Sequence, residues 1–318
     1  MNVAASVRGV MQTAAKRGLA VLTLFAAAHV GGYEGDTHQQ ITFLAARQFN
    51  ACVGVDTPRL TPLEVRYTAR ANADQADKGF WRKLFRWNYY DRAGEGGRFL
   101  WMVETRMNRH YDELTQRLAS EQELAERFSD LGRVVSYLQD ATSPAHVVPI
   151  YTGRWWRFSI TDRFNNYPVD VEALTATLAD DCTAVRGADI SWEQLLAGVA
   201  DRTIGAVQEV IPGLPVGWEA YWEFDEGDDA FGQYGVAGNS FGRRTEFPCG
   251  GTAEGTERTC ILLDNDPLYR QFALARHREA VQATVAAMTL LRSPQRAVAV
   301  TDLSPDVLKL AMAAPRRR

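Results

Sequence analysis

Side chains able to do chemistry gather in three polar stretches that interrupt an otherwise apolar pattern. The first is YEGDTH, Tyr33 to His38. The second is ANADQADKG, Ala71 to Gly79, followed by WNYYDR, Trp87 to Arg92. The third is SYLQDATSPAH, Ser136 to His146. In the third, a helix ending at Asp140, a sharp turn and then His146 bring a carboxylate and an imidazole close together. Carboxylate oxygen with imidazole nitrogen suits a borderline cation such as zinc. The plainer alternative is that Asp140 caps the turn and His146 packs in the core.

The elements that must position these groups are helices. After Thr37, the apolar residues Ile41, Leu44, Ala45 and Phe49 recur at helical spacing, and His38 shares their stripe. Thr61, Pro62 and Glu64 form a capping-box start for a helix reaching about Asp77. Asp74 then lies near its C-terminal end, where a carboxylate opposes the helix dipole and needs another reason to be there. Further helices are expected over roughly 97–107 and 111–119. From Glu121 to Asp140, Leu124, Phe128, Leu131, Val135 and Leu138 make one apolar face, and Gly132 allows close helix contact. Ser143-Pro144 restarts the chain, Ser191–Gln194 opens a helix to about Val210, and Asp266-Pro267 opens the last one, to Arg292. No stretch alternates as a strand does over several residues, so the fold class expected is all-α. Residues 211–264 stand apart as a Gly-, Pro- and aromatic-rich irregular insertion of a length often tied to function.

Among 318 residues, 46% are hydrophobic and 23% charged, which excludes a disordered tail, a collagen and a coiled-coil rod. Net charge is −4, a balance that does little to attract nucleic acid or an acidic membrane. Residues 1–32 carry Arg8, Lys16 and Arg17 and no acid, then the apolar run from Gly18 to Val30. That pattern predicts a signal peptide, a secreted or periplasmic protein and no stable transmembrane anchor. Cleavage after Ala28 or after Gly32 would suit small-residue rules, and the latter makes Tyr33 the mature N-terminus. One helical domain would then span 33–296, with a tail over 297–318. Cys52, Cys182, Cys249 and Cys260 form no CxxC pair, so disulfides are expected rather than a thiolate site. Cys249 with Cys260 is the favoured pair, although three pairings are open. GxGxxG, GxxxxGK and GxSxG are all missing.

These residues resemble the zinc-dependent phospholipase C and S1/P1 nuclease superfamily. Ser136-Tyr137-Leu138-Gln139-Asp140 followed by Pro144-Ala145-His146 is similar to its H-Y-L-G-D helix and P-x-H turn. Tyr33-Glu34-Gly35-Asp36-Thr37-His38 is similar to a mature start W-G-x-x-G-H, and Ala73-Asp74 to an A-D helix end. The resemblance, over roughly 33–180, implies an exported, metal-dependent phosphodiester hydrolase of the phospholipase C type acting on a phospholipid or another phosphodiester. It implies Tyr33, His38, Asp74, Asp140 and His146 as metal ligands, with Asp74 also serving as catalytic base. Four family ligands are replaced, by Asn88, Ser136, Thr161 and Asn165. The implied cofactor is therefore one or two zinc ions rather than three. His110 and His277 are the imidazoles left over, both in sequence resembling solvated helix surface. Trp155, Trp156, Trp218, Tyr221 and Trp222 either line an apolar cleft or anchor core and loops. The alternatives to the hydrolase are a catalytically silent relative that binds a lipid, a glycan or a protein, and a single-strand nuclease.

Overall fold

The computed structural model describes residues 35–76, 89–92, 106–120, 122–150, 162–186, 190–225, 228–251 and 257–292. The expected signal peptide, Tyr33, Asn88, Trp155, Trp156, Thr161, all but the last two residues of the helix expected over 97–107, and the tail lie outside them. The described chain is mostly helical. Its longer helices are α1 (Gly35–Cys52), α2 (Pro62–Ala76), α3 (Met107–Leu118), α4 (Leu124–Asp140), α8 (Trp192–Gln208) and α9 (Pro267–Arg292). Between α4 and α8 come the short helices α5 (Pro144–Val147), α6 (Val171–Leu178) and α7 (Thr183–Arg186).

The helix starts follow local chemistry. Thr61 N–H donates to Glu64 Oε2 (2.8 Å), and Pro62 opens α2. Ser191 and Gln194 close a reciprocal capping box on α8. Helix α4 is the central element, packed against α2, α3 and α9. Gly132 makes the α2 contact possible: a Cβ there would run into the Thr68 carbonyl and press on Ala71 at 2.9 Å. Ile41, Phe49, Leu131, Val135, Leu138, Val281 and Met288 fill the core between these helices.

The 211–264 segment departs from the all-α expectation. It forms two antiparallel hairpins, β1 (Glu223–Asp225) with β2 (Asp228–Gln233), and β3 (Thr245–Gly251) with β4 (Glu257–Leu262). Both are short and irregular in register, so neither carries the long alternation by which a strand is read. Phe247 pairs with Cys260, next to the Cys249–Cys260 disulfide. The second disulfide joins Cys52 to Cys182. Trp218, Tyr221 and Trp222 are buried, with Phe241 and with Tyr269 and Phe272 of α9 around them. They are core anchors, not a cleft lining. Among the described residues no helix is long and apolar enough to cross a membrane.

Candidate functional site

Three of the five expected site residues come together. His38 reaches in from the first turns of α1, and Asp140 is the last residue of α4. His146 sits on α5, turned back by the Ser143-Pro144 restart. Asp140 Oδ1 lies 3.4 Å from His38 Nε2 and 3.9 Å from His146 Nε2. His38 and Asp140 are buried, whereas the His146 side chain keeps 14% of its surface exposed. Asp74 is not part of this cluster. It is 66% exposed on the outer face of α2 and pairs loosely with Arg70 at 3.8 Å. Its place on α2 follows from helical phase. Asn72 takes the inward position, so a residue two further on points outward.

Behind the imidazole–carboxylate cluster is a fully buried polar knot spanning four helices. His38 Nδ1 meets Gln139 Oε1 at 2.6 Å, and Asn72 Nδ2 donates to the same oxygen at 3.0 Å. The Gln139 amide donates to Thr284 Oγ1 of α9 (3.1 Å) and to Thr42 Oγ1 (3.3 Å). Thr42 Oγ1 also accepts from Asn72 (2.8 Å) and donates to the His38 carbonyl (2.8 Å). Because Gln139 Oε1 only accepts, the network assigns the Nδ1 proton to His38 and turns Nε2 toward Asp140.

The zinc expectation is corrected here. Among the described residues, no group of three or more His, Cys, Asp or Glu side chains is arranged to hold a metal ion. A catalytic zinc takes three protein donors and a closed site four. Asp74 is turned to solvent. Ser136 is buried but brings no charge, and Asn165 Oδ1 is taken up as acceptor of the Ser143 hydroxyl at 2.5 Å. Both imidazole Nε2 atoms face one carboxylate oxygen, at 3.4 and 3.9 Å.

A second carboxylate beside His146 was invisible in the sequence. Asp162 is buried and accepts from Trp222 Nε1 (2.9 Å), the Tyr234 hydroxyl (3.0 Å) and the Phe164 amide (2.9 Å). Burial raises its pKa, opposed by those three donors and by His146. Trp222 and Tyr234 belong to the aromatic segment, so the 211–264 insertion satisfies the charge that flanks His146. The same lobe grips the loop after α5. Gly232 N–H donates to the Pro149 carbonyl (3.1 Å), and a Cβ at Gly232 would collide with Val148. From the other side Tyr90 N–H donates to the His146 carbonyl (2.8 Å).

Neither remaining histidine joins the cluster. His110 stacks on Tyr137, ring centroids 6.3 Å apart, and remains partly exposed. His277, read as solvated surface, is instead buried in α9 against Phe164. Burial drives its pKa down to about 4. The folded imidazole is neutral, while the unfolded one gains a proton below about 6.5. Stability is therefore full above that pH and falls as the pH drops toward 4, by about 3 kcal/mol in all. Urea midpoints at pH 7, 5.5 and 4 should show this slope, and His277→Leu should remove most of it. An unchanged slope in the variant would assign the acid sensitivity to another group.

Comparison with protein-family models, with curated proteins and with solved structures finds no match to this chain.

Proposed function

We propose that the chain is an exported, catalytically silent lipid-binding protein, a helical relative of the phospholipase C and P1 nuclease proteins. The observation that carries its catalytic silence is the donor set: among the described residues no group of three or more His, Cys, Asp or Glu is arranged to hold a metal ion, and Asp74 is turned to solvent. His38 Nδ1 is bonded to Gln139, and Asn165 accepts from Ser143. The inward residue of α2 is Asn72, bound to Thr42 and Gln139, rather than a carboxylate. Such a knot holds four helices in register, which is a structural role. The surroundings of His146 also disfavour an anionic substrate. Asp140 and Asp162 flank it, and neither offers a positive group to an anionic phosphodiester.

One observation favours a second reading, a hydrolase acting by proton transfer. His146 is the member of the cluster that reaches the surface, with a buried carboxylate behind it, the arrangement of a general base. A single preparation tests both. The full chain is incubated with bis(p-nitrophenyl) phosphate and with phosphatidylcholine, and separately sedimented with phosphatidylcholine vesicles. Co-sedimentation without p-nitrophenol or phosphocholine release is the expected result. Turnover that is abolished by His146→Ala would replace the binding reading with the hydrolase.

A further inference from the structure

Helices α1 and α2 leave an open groove of about 420 Å³ between them, on the opposite side of α1 from His38. Its floor and walls are Phe43, Leu60, Pro62 and Val65, with Arg47 and Arg66 at the rim. Phe43 is 51% exposed. The wall is braced, because Asn50 bonds Leu60 twice, donating to its carbonyl (2.9 Å) and accepting from its amide (2.7 Å). The volume lies in the range of small-molecule sites, about 300–1,000 Å³.

The charges around the groove are one-sided. Arg66 is exposed to solvent. Arg47 is also exposed and donates from one nitrogen to Thr175 Oγ1 (3.1 Å). The acid of the same wall, Glu64, is turned away and engaged by Arg292 (2.7 Å) and by Thr61. An open groove with Phe43 and Val65 along it and two guanidinium groups beside them offers apolar contact to an alkyl chain and donors to a terminal carboxylate. The chain covers the Phe43 and Val65 surface, and the head group takes the parallel N–H donors that a guanidinium presents.

We propose that this groove binds a single-chain fatty carboxylate, with Phe43 and Val65 against the chain and Arg47 and Arg66 on the head group. The proposal rests on the lipid-binding reading and gives it a place and a ligand class. Calorimetric titration of the full chain with dodecanoate below its micellar concentration tests it, with dodecanol as the neutral probe of equal length. Expected are one dodecanoate per chain and binding of dodecanol at least about tenfold weaker. Arg66→Glu should weaken dodecanoate about tenfold, and Phe43→Asp should abolish binding. Both positions are exposed, and circular dichroism confirms that the variants fold. Equal binding of dodecanol, or indifference to Arg66→Glu, overturns the head-group assignment. Vesicle binding that survives both substitutions, with no dodecanoate bound, overturns the groove and leaves the lipid-binding reading standing. Binding of neither probe nor vesicles overturns both. Dimerisation that Phe43→Asp abolishes, seen by sedimentation, would give the groove to a second copy instead.

Discussion

Replacing Gln139 with leucine should lower the stability of the fold by about 3 kcal/mol, even though leucine nearly matches its volume and suits a helix. The reason is the position of the amide. Its oxygen receives His38 Nδ1 and Asn72 Nδ2, and its nitrogen serves Thr42 and Thr284. All five side chains are fully buried, so no water replaces the lost partner. An orphaned buried donor costs about 1–3 kcal/mol, and here the His38 N–H loses its acceptor while Asn72 keeps only part of its bonding. Thr284 and Thr42 retain backbone carbonyls as acceptors and should contribute less. Gln139→Glu separates the terms. It preserves an acceptor for His38 but removes both amide donors and puts another carboxylate beside Asp140. Urea denaturation of the two variants at pH 7 is the measurement. A loss below about 1 kcal/mol for Gln139→Leu would mean that the knot is not holding the helices, and the structural role given to it would fall.

That knot also marks where sequence reasoning stops. The apolar stripes of α1, α4 and α9 were legible because a 3.6-residue period is a local property, and the caps at Thr61 and Ser191 because their bonds span three residues. Asp140 and His146 were legible as a pair because a helix end and a Pro-initiated turn fix their approach, whereas His38 was joined to them only by the family resemblance. Partners distant in the chain were not legible. Asn72 lies 67 residues from Gln139, and Thr284 lies 145 from it. Neither carries a local sign of being inward. Asp74 shows the converse: its dipeptide matched a motif, but the phase of α2 gives the inward place to Asn72. Likewise Asp162 reads as one more loop acid until Trp222 and Tyr234, 60 and 72 residues away, are seen to hold it. The hairpins escaped for another reason. They are too short and too irregular in register for a period of two to emerge, and the bonds that define them are not encoded in spacing.

Removing the Cys52–Cys182 disulfide should destabilise the protein more than removing Cys249–Cys260, by about 5 against about 3 kcal/mol. The difference comes from the loops that each bond closes in the unfolded chain, with sequence separations of 130 and 11. Local structure sharpens the test, because the long-range bond does not act alone. Beside Cys182, Asp181 receives Arg278 and Gln282 of α9, both at 2.7 Å, and the Thr183 hydroxyl, while its carbonyl accepts from Gln48 of α1 at 2.6 Å. Hydrogen bonds from Thr183 and Arg278 hold the Asp181 carboxyl down at a pKa of about 2. A depressed carboxyl contributes fully above its unfolded value near 3.9, and that contribution drains away as the pH falls to about 2. The Cys52→Ala/Cys182→Ala variant should therefore show its deficit at pH 7 and a further loss of up to about 2 kcal/mol between pH 4 and 2. With the disulfide intact the same acid step also operates, but from a higher starting stability, so the folded state survives it. Chemical denaturation of both double-alanine variants at pH 7, 4 and 2.5 distinguishes the terms. Equal losses for the two disulfides would show that the Asp181 hub already closes the long loop in the denatured ensemble, leaving the covalent bond little to add.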